Sequence, residues 1–209
     1  MNFLLRHTLS ITASAFFTAL TMGTALGQAS KVTGDAPIFE DLQSPQFSTG
    51  GKEKRFKQKD WLEIEAKLKI ELLPAPSSKI CDKITIKWYI AVKNPDKPTL
   101  HLLFTKEVEH VNVPLNEEIY CSVYLSPSSI QRLTGSDKGG KGAVDYVGYE
   151  VLINGEKKVE ETSKGKKGWW NTASEKISRS EIVTLLNKSE TPFSSLWWDR
   201  YAEISATRR

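Results

Sequence analysis

From Leu62 to Leu72, apolar and charged residues alternate without a break. Leu62, Ile64, Ala66, Leu68, Ile70 and Leu72 fall on one side; Glu63, Glu65, Lys67, Lys69 and Glu71 fall on the other. A period of two describes a strand with one buried face and one wet face, in an antiparallel sheet packed on a second layer. Pro74 and Pro76 end this strand. A second begins near Lys83, with Ile84, Ile86, Trp88, Ile90 and Val92 alternating with Thr85, Lys87, Tyr89, Ala91 and Lys93. The segment Asn94-Pro95-Asp96-Lys97-Pro98 is a turn, because proline sets φ and Asn and Asp bond their own backbone. Leu100, Leu102 and Phe104 predict a third strand. Val108, Val111 and Val113 predict a fourth, closed by Pro114. Ile119, Cys121, Val123 and Leu125 predict a fifth.

The texture changes at Ser126, a candidate helix N-cap followed by Pro127. Ile130 and Leu133 are three apart and Gly135 is a natural stop, so one or two helical turns are expected. Residues 143–153 predict a sixth strand, with Val147, Tyr149, Val151 and Ile153 on one face. Asn154-Gly155 signals a hairpin, and the short polar return over Glu156–Glu161 reads as an edge. Farther on, periodicity leaves strand and helix both open for Ile182–Leu186. Thr191-Pro192 reads as a helix start, with Trp197–Tyr201 alternatively a closing strand. Seven or eight short strands with frequent turns and little helix imply an all-β protein, an antiparallel β-sandwich.

The ends of the chain modify this picture. Met1–His7 carries Arg6 and no acid, and Thr8–Leu26 is apolar and small. Ala25-Leu26-Gly27 precedes a plausible cut at Gln28, so residues 1–27 are expected to be a cleaved signal peptide. Residues 28–56 read as a flexible linker, with Pro37, Pro45, Gly34, Gly50 and Gly51 and few apolar side chains. The sandwich is then expected over 57–205. A formal net charge of +4 with dispersed lysines argues against a nucleic-acid partner.

Reactive chemistry is sparse. His101 and His110 have no Cys, Asp or Glu at metal-binding spacing and read as surface residues. There is no Gly-x-Ser-x-Gly elbow and no phosphate loop; Gly139-Gly140-Lys141-Gly142 reads as a solvated loop. No catalytic residue, cofactor or metal is assigned. Cys81 and Cys121 are the only cysteines. An exported chain invites their pairing, and two buried thiols are the alternative. Six tryptophans stand out. Trp169-Trp170 and Trp197-Trp198 form a candidate binding surface, because consecutive strand residues point to opposite faces and exposed rings stack on sugars or anchor partners. Trp169-Trp170, in its basic glycine-rich setting, is the pair expected to be exposed.

The residues Trp61, Trp88-Tyr89, Ser126-Pro127 with Arg132, Thr191-Pro192-Phe193 and Trp198-Asp199-Arg200-Tyr201 carry a resemblance. Over roughly Lys57 to Glu203 the chain resembles the secreted, pilus-like proteins of Verrucomicrobia such as Akkermansia. That resemblance implies an immunoglobulin-like sandwich at the cell surface, with a role in pilus-like assembly or host contact and no catalytic residues. One departure is evident: the leader Met1–His7 has no Gly, and the apolar segment that follows reads as cleavable. An accessory surface protein is therefore expected rather than a pilin. The expected partners are other surface or pilus-like proteins, possible host surfaces or glycans, after export to the periplasm, outer surface or medium.

Overall fold

In the computed structural model, residues 29–46 and 57–206 are described. The expected signal peptide, and the part of the expected linker over 47–56, lie outside the described residues. The alternating run becomes the middle of β3 (Asp60–Leu73), and its even-numbered side chains from Leu62 to Ile70 are at most 1% exposed. Each leucine and isoleucine among them contributes about 1.5–3 kcal/mol of burial.

Two sheets face each other. One holds β1 (Ala29–Gly34), β2 (Ile38–Gln43), β3, β6 (Glu118–Leu125) and β10 (Leu186–Asn187). The other runs β8 (Glu156–Thr162), β7 (Val144–Ile153), β4 (Ile80–Lys93), β5 (His101–Pro114) and β9 (Ile177–Arg179). Among the described strands every pairing is antiparallel except β5 with β9. β4 lies between β7 and β5, β8 flanks β7, and β6 flanks β3. This is the immunoglobulin arrangement of strands C, F, C′, G, E and B, in that order of mention. Trp88 occupies the place of the buried strand-C tryptophan, fully buried, its ring 5.6 Å from that of Tyr149 on β7. The helix α1 (Pro127–Thr134) is capped by Ser126 and Gly135, and buries Ile130 and Leu133. The Asn154-Gly155 hairpin has φ of 53° and 79°, which glycine accepts freely at the second position. β8 is an edge strand.

Three expectations are corrected. Residues 29–34 and 38–43 are not linker: β1 pairs with the second half of β3 and β2 with the first half. These strands gain order mainly from backbone hydrogen bonds to an existing sheet, so their sequence lacks a strong apolar signal. The separate third and fourth strands are one continuous β5, paired with β4 from His101 to Pro114. The two cysteines are free and buried. Cys81, the second residue of β4, lies opposite Val113 at one end of its sheet, whereas Cys121 lies mid-strand on β6 opposite Ala66 in the other sheet. Burial pushes both thiols above their ordinary pKa, which leaves them unreactive.

Candidate binding surface

The outer face of β3 is not the solvated surface that its charges suggest. The chain after β10 crosses it as a strap. The sequence builds the strap from local caps. Asn187 accepts from the Glu190 backbone N–H while the Glu190 side chain accepts from the Asn187 N–H, closing a capping box. Phe193 then anchors the segment, 1% exposed, stacked on Tyr124 at 5.5 Å and edge-on to Trp61 at 5.8 Å. Lys188 is 5% exposed; its ammonium donates to the carbonyls of Ser194 and Leu196 and lies 4.8 Å from the Tyr201 ring. Burial holds its pKa below the usual lysine range.

Beyond this knot the strap ties both sheets. The Arg200 guanidinium lies 3.7 Å from the Tyr120 ring centre and pairs with Glu65 at 2.7 Å. Ala202 N–H donates to Tyr120 O on β6. Val111 N–H on β5 donates to Glu203 O, and Ser205 N–H donates to Glu109 O. Asn112, at φ 52° in β5, donates from its amide to Glu203 at 2.9 Å. His110, expected at the surface, is instead 1% exposed, with Nδ1 3.2 Å from Ala202 O. Burial pulls its imidazole down to about 4. With Nδ1–H donating to the carbonyl, the neutral ring leaves Nε2 as an unpartnered acceptor.

The strap presents Trp197 and Trp198, 48% and 77% exposed. Trp197 adopts φ 52°, a left-handed conformation that costs a bulky residue about 1–2 kcal/mol. Trp198 borders a cavity of about 430 Å³ lined also by Lys188, Ser189, Ser194, Tyr201 and Glu203.

The other pair behaves differently. Trp170 is 6% exposed and lies on Gly148, where an added Cβ would come within 2.1 Å of the indole. Its N–H donates to Glu150 at 3.0 Å and its ring stacks on Tyr89 at 4.8 Å. Burial opposes the Glu150 charge, yet donors on Trp170, Asn171 and Tyr89 hold its pKa below the usual range. Trp169 is half-buried, donating to Thr162 and packed between Trp170 and Tyr146. The pair expected to be exposed is therefore the covered one. Together these rings shield the outer face of the β8–β7–β4–β5–β9 sheet.

Chemical groups elsewhere are few. His101 is part-buried, 2.7 Å from Asp145, and no hydroxyl or thiol among the described residues joins that pair. Among the described residues no three His, Cys, Asp or Glu gather where they could hold a metal ion. No described helix is long and apolar enough to cross a membrane. Sequence reasoning missed Lys188, Glu63, Glu65 and His110 as strap contacts. Only the Asn187-x-x-Glu190 capping pattern ahead of Thr191-Pro192 was a usable local signal.

A protein-family model matches residues 23–208. A protein of Akkermansia muciniphila, solved by crystallography, superposes with a TM-score of 0.81 at 39% identity. The match covers 87% of this chain and 96% of that one. The chain belongs to their family. The family match spans the strap as well as both sheets, so the covering of β3 falls within the shared region. No curated protein matches the chain.

Proposed function

We propose that this protein is exported and works without catalysis, as a structural or accessory component of a pilus-like or surface assembly. It acts through protein–protein contacts centred on the strap. The observation that carries this reading is the Trp197–Trp198 turn: two large aromatic side chains held in water, one in a strained backbone conformation, on a fold that covers its other tryptophans. Exposed tryptophans are the residue type most enriched among interface anchors. Kinship with an Akkermansia muciniphila protein supports a bacterial setting. The test is cross-linking in the native envelope, comparing the wild-type protein with a Trp197→Ala/Trp198→Ala variant. Recovery of surface or pilus-like partners that the variant loses is expected. Recovery of monomer alone from both would overturn the reading.

A second reading, glycan binding, is favoured by Trp198 standing at the rim of a cavity lined by hydroxyl and carboxylate groups. A planar ring beside such groups suits a sugar face and its hydroxyls. Titration with mucin glycans should quench or shift tryptophan fluorescence in the wild type and not in Trp198→Ala. No change at millimolar ligand would remove this second reading.

A further inference from the structure

Under the strap, three oxygen atoms on two elements form a bridge with too few hydrogens. Tyr201 Oη lies 3.0 Å from Glu63 Oε1 and within hydrogen-bond distance of Glu65 Oε2. Glu63 Oε1 already accepts from the Tyr124 hydroxyl, which itself accepts from Ser122. Two contacts at Tyr201 need two hydrogens, and a phenol supplies one. Two ionised carboxylates would leave one contact as bare oxygen against oxygen, next to a like charge. A carboxylic acid on Glu65 completes the chain, donating to Tyr201 while Tyr201 donates to Glu63.

We propose that docking of the strap traps one proton on Glu65, beside Glu63, making the strap a clasp that loosens as pH rises. The surroundings are specific. From β2, Glu40 lies opposite Glu63 and is itself paired with Lys141. β6 contributes Tyr120, Ser122 and Tyr124, which stand opposite Lys67, Glu65 and Glu63 on β3. Cys121, on the same strand, contributes a thiol that burial keeps protonated. The strap contributes Arg200, bonded to Glu65, and Lys188. Arg200 favours ionisation of one carboxylate, and burial disfavours a second charge. Burial, as the largest influence, also raises Glu65 above the ordinary carboxyl value. The clasped state then binds more protons than the released one. Its stabilisation is complete below the ordinary glutamate pKa and is lost as pH climbs through the raised value. What the clasp controls is the presentation of Trp197 and Trp198, whatever they contact.

The test uses the full chain with ¹³C-labelled glutamate carboxyls, titrated by NMR from acid to alkaline pH. One carboxyl, that of Glu65, should titrate above the ordinary value of about 4.3. Its signal should vanish in Glu65→Gln, whose amide supplies the second hydrogen without a charge. Exchange of the Ala202 and Ser205 amides, corrected for base catalysis, should rise at least tenfold across the same range in the wild type and stay flat in the variant. Glu63→Gln should flatten it equally and serves as the second variant if the first folds poorly. The proposal is overturned if every glutamate titrates near its ordinary value. It is also overturned if strap exchange shows no pH dependence, or if both glutamine variants retain the wild-type dependence.

Discussion

Two tryptophan pairs of identical sequence meet opposite ends in this protein. Trp170 is covered because Gly148 on β7 leaves room for an indole to lie flat on the sheet, and Glu150 receives its N–H. Trp198 stays in water because Phe193, five residues earlier, already fills the aromatic slot between Trp61 and Tyr124. Whether a ring is core or surface is decided by the vacancy opposite it and by a partner for its polar atom, not by the dipeptide. The first pair is packed against its sheet, and the second is held in water.

The sharpest way to break this contrast is substitution on each side. Trp170→Ala should cost about 3–5 kcal/mol, the range for deleting a buried large aromatic, read as a lowered midpoint in urea unfolding. Gly148→Ala attacks the same contact from below and should cost about 1–3 kcal/mol, because the indole must move away from the added methyl. A loss under 0.5 kcal/mol for either would mean that Trp170 does not rest on β7.

Acid sharpens the comparison from the strap side. His110 has a folded pKa of about 4 against about 6.5 when unfolded, so the folded state binds fewer protons. Its contribution is fully present above 6.5 and is lost as pH falls from there to about 4, worth about 3–4 kcal/mol at most. Unfolding of the wild type and of His110→Phe over this range should diverge, the variant losing less on acidification. Parallel pH curves would refute it. The smallest effect on stability is expected at Trp198, where Trp198→Ala should change unfolding by less than about 0.5 kcal/mol while abolishing partner capture. A large stability loss there would make Trp198 a structural residue after all.

Much of the fold was legible because strand signals are local. The alternation over Leu62–Leu72, the helix caps at Ser126 and Gly135, and the Asn154-Gly155 turn each need only neighbours a few residues away. β1 and β2 leave little trace in the sequence because each packs a single partly buried apolar side chain, Val32 or Phe39, on the core and is otherwise ordered by pairing with β3. The run Leu100 to Val113 was divided because Lys106, Glu107 and Glu109 interrupt the apolar pattern, whereas the register to β4 continues through them. Of the candidate surface, the four tryptophans were visible and their orientation was not.

By itself, the sequence determined two-faced strands, their turns and a sandwich to contain them, since period, caps and prolines act through the nearby backbone. Only the tertiary structure decided that the charged side of Leu62–Leu72 is roofed over, with Glu65 at 6% exposure under a chain segment 135 residues away. Hydrogen bonds between distant residues leave no periodic trace. A glutamate meant for water and one meant for Tyr201 look the same until the strap closes.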